Sequence, residues 1–297
     1  MGLRTQDYGE LGFTNDFMFA KVMRNHRLCK QLLEVILDVR IERIDYLEEQ
    51  KTIDHSVDAR SVRLDVYLED DRRTVYNVEM QTTNPRNLPK RSRYYQGMID
   101  LNLIQKGEDF NKLNKSYVIF ICTEDIFGKG RHIYTFENLC VQDTTLHLND
   151  ETTKVFLNPV SDMDDVDEEL KNFLLYVASG KPVDNFTREL EREVEDARKN
   201  KGWEEEYMTL RMIEREKYNE GLNEGLSQGI SQGFSQGLSQ GLSQGLSQGL
   251  SQGKAGSLVN SVENLIKNLG FSLEEACSAV GSSVQQYEEA KELLKNQ

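Results

Sequence analysis

The 297-residue chain has a formal net charge of -14, and its four cysteines and four histidines form no CxxC, zinc-finger or HExxH pattern, which argues against structural zinc sites. No run approaches the roughly 18 apolar residues of a membrane helix, and residues 1–15 lack the apolar core of a signal peptide. These features predict a soluble, cytoplasmic protein with no membrane partner, built as one large domain with appendages or as two domains.

The N-terminal part is predicted to be helical. Thr14 is the predicted N-cap, and apolar residues recur at helical spacing between Phe19 and Leu37. One or two helices are therefore expected across residues 15–38. The following sequence IERIDYLEEQ, residues 41–50, is expected to be a strand or a connector.

Residues 62–81, VRLDVYLEDDRRTVYNVEMQ, alternate apolar and polar side chains around a charged turn, which predicts a β-hairpin. Successive side chains lie on opposite faces of a strand. One apolar face is therefore expected from six residues: Leu64, Val66, Leu68, Tyr76, Val78 and Met80. These residues share a face only if Val66 lies opposite Val78. The same register places Asp65 opposite Glu79 on the other face, with Gln81 one step further along.

Two opposed carboxylates allow two interpretations. Their Cβ atoms would be roughly 5 Å apart, and their repulsion would be on the order of 3 kcal/mol at an effective dielectric constant near 20. A divalent cation would reverse the sign of this interaction, and hard oxygen ligands suit Mg²⁺ or Mn²⁺. Alternatively, Asp65 and Glu79 line a solvated sheet face and each pairs with an arginine such as Arg63. The hairpin alone leaves both interpretations open.

After the hairpin, a loop containing Pro85 and Pro89 leads to a predicted helix of about four turns that ends at Gly107. A basic cluster lies at its start and comprises Arg86, Lys90, Arg91 and Arg93. Residues 1–115 contain 19 basic and 19 acidic residues, whereas residues 116–219 contain 13 and 23. DNA could therefore dock on the neutral part while the acidic remainder faces away. A charge cluster is, however, more often only a solvated face.

The central region predicts a buried sheet. SYVIFIC, residues 116–122, is a continuous apolar run typical of a strand that is buried on both faces. HIYTFENL and TKVFLN are two further short predicted strands. The order of helix, antiparallel pair, helix and buried strand predicts an α/β fold in which helices flank a mixed sheet.

The C-terminal half is predicted to be mainly helical. Residues 167–219 are highly charged and contain apolar stripes typical of packing faces. Residues 219–254 form a tetrapeptide repeat with glycine at every fourth position, for which a weak helix and a flexible spacer both stay open.

Residues 255–297 predict three short helices, with N-caps at Ser272 and Ser283 and breaks at Gly270 and Gly281. The pattern is loosely that of a helix-turn-helix. The segment is net acidic, however, and has no basic recognition helix, which favours a self-association module over a DNA reader.

From residue 14 to about 219 the chain resembles the recombination-promoting nuclease/transposase (Rpn) family of the PD-(D/E)xK nuclease superfamily. The resemblance is carried by TNDFMFAKVM, VRLDVYLEDD, YNVEMQ, LPKRSRYYQGMID, YVIFIC, GRHIYTFENLC, VFLNP and FTRELEREVEDARKNKGWEEEYMTL. It implies a restriction-endonuclease-like core and an endonuclease that hydrolyses DNA phosphodiester bonds with Mg²⁺, for which Mn²⁺ can substitute.

The patterns along the chain, together with the resemblance, predict four parts. A nuclease-like core is expected at residues 1–160 and a charged helical extension at 161–218. A tetrapeptide-repeat linker is expected at 219–254, followed by a small helical module at 255–297 through which the chain would form a homo-oligomer.

The resemblance assigns roles to the hairpin residues. Asp65 would be the aspartate of the superfamily motif and Glu79 its second acid, and both would bind the metal together with the backbone carbonyl of Met80. Gln81 stands where the superfamily usually has a catalytic lysine, and Leu64 stands in place of the usual proline. Glutamine can orient a water molecule but brings no positive charge.

Several further residues could complete the site. The missing charge could come from Arg91, from Arg93 or, as a weaker candidate, from Lys90. Asp16 either completes the acidic cluster or is an acid in a first helical turn stabilised by the helix dipole. Tyr94 also matches a family motif. The alternative function is a catalytically decayed nuclease fold that acts as an oligomeric, DNA-associated regulatory module.

Overall fold

The computed structural model describes residues 6–53, 62–84 and 86–295. The chain divides into two compact units, Met1–Ile213 and Glu214–Gln297. Among the described residues, none of the helices is both long and apolar enough to cross a bilayer. Pro85 of the predicted loop lies outside the described residues, as does the side chain of Arg63, the predicted partner of the acidic pair.

The first unit is built on a six-stranded mixed sheet. Its strands are β1 (Ile44–Ile53), β2 (Val62–Asp70), β3 (Val75–Gln81), β4 (Ser116–Cys122), β5 (Ile133–Phe136) and β6 (Thr152–Leu157). The spatial order is β1-β2-β3-β4-β6-β5. The strands β1, β2 and β3 pair antiparallel, β4 pairs parallel with both β3 and β6, and β5 pairs antiparallel with β6. The predicted α/β fold with a mixed sheet flanked by helices is confirmed.

The described residues form eight α-helices. They are α1 (Asp16–Val22), α2 (His26–Leu37), α3 (Leu88–Leu103), α4 (Glu168–Ser179), α5 (Asn185–Arg198), α6 (Lys201–Leu269), α7 (Leu273–Ala279) and α8 (Val284–Lys295). Buried residues of α1, α2, α4 and α5, with Tyr207 of α6, form one core with one face of the sheet. Buried residues of α3 form a second core with the other face. The helices of the predicted extension at 161–218 thus share the core of the first unit as far as Ile213.

The predicted hairpin register is confirmed, because Val66 lies opposite Val78. Five of the six residues expected on one apolar face belong to the first core. The prediction was wrong for Leu64, which packs in the second core with Tyr67 and Tyr95. Leu64 lies beyond Val66 and Val78, the last paired residues of β2 and β3, and is paired with Lys51 of β1.

Three predicted helix boundaries were wrong. Helix α3 begins at Leu88, so Pro89, which was expected in the loop, lies in its first turn, where proline is tolerated. The N-cap of α1 is Asn15 rather than Thr14, because the Asn15 side chain accepts a hydrogen bond from the Met18 backbone N–H. Helix α3 ends at Leu103 rather than at Gly107, because Ile104 is already extended. Gly107 has φ +90° and lies in the following loop, where glycine avoids the steric cost of a positive φ.

The tetrapeptide repeat is helical, as part of α6. Its glycines at every fourth position from Gly221 to Gly253 each cost about 1 kcal/mol relative to alanine. Apolar side chains four residues apart recover only about 0.2–0.5 kcal/mol per pair. The helical conformation of this segment therefore needs stabilisation from outside its own sequence.

The second unit ends in the predicted small helical module. The end of α6 packs with α7 and α8 around a core that includes Val262, Cys277 and Tyr287. Ser272 begins α7 in a reciprocal capping box with Glu275. The other predicted signals are also observed: the Ser283 hydroxyl accepts a hydrogen bond from the Gln286 N–H, and Gly270 and Gly281 both have φ +72°.

Candidate active site

The hairpin opens where its two acidic residues lie. Beyond the paired residues Val66 and Val78, carboxylates accept the hydrogen bonds of the neighbouring strand. The Asp65 N–H donates to Glu79 Oε1 at 3.1 Å, and the Met80 N–H donates to Asp65 Oδ2 at 3.0 Å. The predicted juxtaposition of Asp65 and Glu79 is therefore present, and side chains bridge the two strands at this point.

A cleft of about 570 Å³ lies over this end of the hairpin. Its walls come from the N-terminal segment, the hairpin, α3 and α6. They are formed by Gln6, Gly12, Thr14, Asn15, Asp16, Asp65, Glu79, Met80, Gln81, Thr82, Thr83, Arg91 and Arg211. Asp16 lines the cleft from the first turn of α1. In the described ranges, however, no group of three or more His, Cys, Asp or Glu side chains is placed to hold a metal. Asp65 and Glu79 are therefore neighbours without a third acidic side chain among the described residues close enough to share a metal with them.

The carboxyl group of Glu79 is almost completely buried, with 1% of the residue exposed. Burial and, to a smaller extent, the nearby Asp65 carboxylate raise its pKa to about 8. A buried carboxyl group beside a second acid is costly to ionise without a cation. The site therefore favours a bound positive charge next to Glu79.

Arg91 supplies a positive charge at this position. Its Nη2 atom donates to Glu79 Oε2 at 3.1 Å and its Nη1 atom donates to Gln81 Oε1 at 2.8 Å. Its Nε atom donates to the Tyr95 hydroxyl at 2.9 Å, and the guanidinium lies over the Tyr95 and Phe120 rings at 5.1 and 5.4 Å from their centroids. Hydrogen bonds and aromatic contacts thus fix the guanidinium beside the acidic pair.

Gln81 is oriented by two neighbours. Its side-chain amide nitrogen donates to the Thr83 carbonyl oxygen at 2.6 Å and to the Thr83 hydroxyl at 3.1 Å. Its side-chain oxygen accepts from Arg91. In this arrangement Gln81 holds Arg91 in place.

The other predicted basic and aromatic residues lie elsewhere. Lys90, Arg93 and Tyr94 line a different, mainly apolar groove together with Phe110, which is 79% exposed. Arg86 is exposed just before α3. Of the four residues in the predicted basic cluster, only Arg91 lines the cleft with the acids.

Arg211 also lines the cleft, and no sequence pattern predicted it there. It lies in α6, and its Nε atom donates to the Tyr207 hydroxyl at 3.0 Å. Tyr207 is buried and packs against Phe17 with ring centroids 5.3 Å apart. The apolar stripe through Tyr207 predicts packing, but only the folded chain shows that this packing brings Arg211 to the cleft.

Asn77 is a second residue that sequence reasoning missed. It is fully buried in β3, two residues before Glu79 and therefore on the same face. Neither polar atom of its side chain makes a hydrogen bond of ordinary geometry. The amide lies close enough to lower the pKa of Glu79 as a minor influence. An unsatisfied buried amide is rare and calls for a functional explanation.

These observations fit a divalent metal. The available donors are carboxylate oxygens, which suit hard cations such as Mg²⁺ and Mn²⁺. Glu79 is buried and Asp65 lies beside it, so a cation would relieve both the burial of charge and the mutual repulsion. Met80, whose backbone carbonyl is the third predicted ligand, lines the same cleft.

A family model described as PD-(D/E)XK nuclease family transposase matches residues 13–220. The matched region includes the hairpin, α3 and the part of α6 that contains Arg211. No curated protein and no solved structure matches the chain.

Proposed function

Because the chain belongs to the PD-(D/E)XK nuclease family of transposases, we propose that it is a metal-dependent endonuclease that hydrolyses phosphodiester bonds in DNA. The observation that carries this proposal is the carboxylate pair Asp65–Glu79 in a cleft that also contains Arg91. A purely structural hairpin gains nothing from burying one acid beside another. A nuclease needs this pair to bind its cation.

Asp65, Glu79 and the backbone carbonyl of Met80 would hold Mg²⁺, and Mn²⁺ would substitute for it. When bound, the metal lowers the pKa of a coordinated water and polarises a phosphoryl oxygen. Asp16, which lines the same cleft, is proposed to bind water or substrate at its edge.

Arg91 is proposed to take the role that lysine has in related nucleases. Its guanidinium is permanently charged and can bind a phosphate through two parallel hydrogen bonds. Placed beside the acidic pair, it would stabilise the negative charge that develops on the scissile phosphate. Gln81 would act as a positioning residue that fixes Arg91 through the 2.8 Å hydrogen bond.

The DNA backbone is proposed to run through the cleft and along α3. Arg91 and Arg211 line the cleft. Arg86, Lys90 and Arg93 are exposed on α3 or just before it and would contact flanking phosphates outside the cleft. These contacts would account for DNA binding by a chain whose net charge is -14.

The central experiment combines plasmid cleavage with calorimetry. The purified protein is expected to convert supercoiled plasmid to nicked or linear forms with Mg²⁺ and not with EDTA. Asp65→Ala and Glu79→Ala should each lose cleavage and Mn²⁺ binding while keeping the far-ultraviolet circular dichroism of the parent. Glu69→Ala is the matched control, because Glu69 is an acid of the same hairpin that does not line the cleft. Cleavage by the Asp65 and Glu79 variants at the rate of the parent would contradict the proposal.

A non-enzymatic DNA-associated module is the second candidate. It is favoured by Gln81, which stands at the position of the superfamily lysine and directs its amide nitrogen to Thr83. This alternative requires DNA binding without cleavage under every metal condition. Cleavage that disappears in Asp65→Ala while DNA binding persists would exclude it.

A further inference from the structure

A second groove, with a volume of about 690 Å³, lies along α3 and the loop that follows this helix. We call it the α3 groove. Most of its lining is apolar and includes Tyr94, Leu101 and Phe110. These three side chains are 40, 49 and 79% exposed. Single exposed apolar residues are common on protein surfaces, whereas several that share one groove mark a binding surface.

Gly97 keeps one wall of the α3 groove open. It lies inside α3, where glycine costs about 1 kcal/mol relative to alanine. A Cβ atom added at Gly97 would have no neighbour within 4 Å, so packing inside the protein does not require the glycine. Tyr94 and Leu101 lie three residues before it and four residues after it, and therefore on the same face of the helix. The glycine leaves a flat surface between these side chains, which a planar group can approach closely.

Positive charge lies at one end of the α3 groove. Lys90 and Arg93 line this end and are exposed. Among the described residues that line the groove, Asp100 is the one acid, and its carboxylate accepts a hydrogen bond from the Gln96 amide at 3.0 Å. The ligand that fits the groove therefore combines negative charge with flat apolar surfaces.

We propose that the α3 groove binds unpaired nucleotides, so that the preferred substrate is DNA in which a single strand borders a duplex. This inference rests on the proposed endonuclease function and names the substrate class of the same site. The bases of a duplex are stacked on one another, whereas those of a single strand can stack on Tyr94 and Phe110. The phosphates of that strand would contact Lys90 and Arg93.

An apolar peptide is the alternative occupant of the α3 groove. It would cover the apolar lining, but it would not account for the two cations at the end of the groove next to Arg91. Arg91 and Tyr94 are three residues apart and therefore neighbours on the surface of α3. A DNA strand that leaves the cleft at Arg91 can thus pass directly into the groove. This continuity with the cleft favours DNA.

The test measures the affinity of the full chain for three fluorescent oligonucleotides. They are a blunt duplex, the same duplex with a single-stranded tail, and the same duplex with an abasic tail. Fluorescence anisotropy in Ca²⁺ is expected to show that the tailed duplex binds about 10- to 100-fold more tightly than the blunt one, as for one or two stacked bases. The abasic tail should give little of this gain, because it keeps the phosphates and lacks the bases.

Two variants connect the gain in affinity to the α3 groove. Phe110→Ser removes a side chain that is too exposed to contribute much to folding. Gly97→Gln fills the groove with a good helix former and adds no charge. Each variant should lower the affinity for the tailed duplex by about tenfold and leave that for the blunt duplex unchanged. Val141→Ser is the matched control, because Val141 is an apolar residue that is 87% exposed outside the groove, and it should bind both DNAs as the parent does.

Three results would overturn the proposal. The parent could bind blunt and tailed duplexes equally, which would leave an apolar peptide as the occupant. The abasic tail could give the full gain, or both groove variants could retain it. Cleavage in Mg²⁺ separates these results from a failure of the endonuclease proposal. If only the groove assignment fails, blunt and tailed duplexes are cleaved at the same rate. If the endonuclease proposal fails, neither DNA is cleaved, and the binding measurement still decides whether the groove holds unpaired bases.

Discussion

Arg91 Nη2 lies 3.1 Å from Glu79 Oε2, and the same guanidinium donates to Gln81. The carboxylate is buried in the central strand β3, whereas the arginine reaches it from α3. The positive charge thus lies beside Gln81, the residue that the resemblance aligns with the superfamily lysine. In this chain the positive charge comes from Arg91 on a helix and not from Gln81 on the strand. Both residues line the same cleft.

The first prediction concerns the positive charge that Arg91 brings to the cleft. Arg91→Ala is expected to lower the cleavage rate by about 10²–10³-fold, as for the loss of one donor to a developing oxyanion. The double variant Arg91→Ala with Gln81→Lys should regain most of that rate, because lysine at position 81 restores the charge. Plasmid cleavage under single-turnover conditions measures both effects.

The control for this experiment is Arg93→Ala. Arg93 lies on the same helix but lines the apolar groove outside the cleft. Its loss should weaken DNA binding and leave the rate at saturating DNA unchanged. If Arg91→Ala cleaves as fast as the parent, Arg91 does not supply the charge.

The second prediction follows from the pKa of Glu79, which burial and Asp65 raise to about 8. Without metal, the folded state keeps a proton that the unfolded chain loses near its ordinary pKa of about 4.5. The free energy of unfolding should therefore fall as the pH rises from about 4.5 to 8, by at most about 1.4 kcal/mol per pH unit. Glu79→Gln removes this titration, so in EDTA the variant should be more stable than the parent at pH 9 and similar to it at pH 5.

Urea denaturation at pH 5, 7 and 9 measures this difference. Glu69→Gln, on the neighbouring strand and partly exposed, should follow the parent at every pH. Added Mn²⁺ should stabilise the parent and leave Glu79→Gln unchanged. Equal pH dependence of the parent and Glu79→Gln would contradict the burial of an ionisable charge.

Local patterns predicted the part of the site that lies within the hairpin. The alternation of apolar residues determined the register Val66–Val78, and this register placed Asp65 beside Glu79. The same logic failed at Leu64, which lies beyond the last residue pair of β2 and β3 and packs in the second core.

The rest of the site depends on contacts between distant residues. Successive residues of a helix point about 100° apart, so the sequence could not decide whether Lys90, Arg91 or Arg93 faces the acids. Arg211 is separated from Glu79 by more than a hundred residues and reaches the cleft only through the packing of Tyr207. The spacing of apolar residues along α6 does not reveal that Arg211 reaches the cleft.

The third prediction tests Arg211 as a contact to the DNA backbone. Arg211→Gln should weaken binding to a short duplex and reduce the slope of log affinity against log salt by about 1, the effect of one phosphate contact. Fluorescence anisotropy in Ca²⁺, which is expected to support binding without cleavage, measures both quantities. Arg215→Gln is the matched control, one turn further along α6 and exposed. Equal salt slopes for the two variants would remove Arg211 from the DNA interface.

The last prediction separates stability from function at Asn77. Its buried amide makes no hydrogen bond of ordinary geometry, so Asn77→Val, which places a β-branched residue in a central strand, should stabilise the fold by about 1–2 kcal/mol. The same change removes the polar neighbour of Glu79 and should lower the cleavage rate by about tenfold, as for other supporting residues of metal ligands.

Gln96→Leu provides the contrast, because Gln96 is also buried but donates to Ser116 and Asp100 at 2.7 and 3.0 Å. Its loss should destabilise the fold, since it leaves both partners without this donor. Urea denaturation of the two variants measures the opposite changes expected in stability, and plasmid cleavage measures their rates. If Asn77→Val is less stable than the parent, the amide stabilises the fold. If the variant is more stable and cleaves at the full rate, the amide neither stabilises the fold nor supports Glu79.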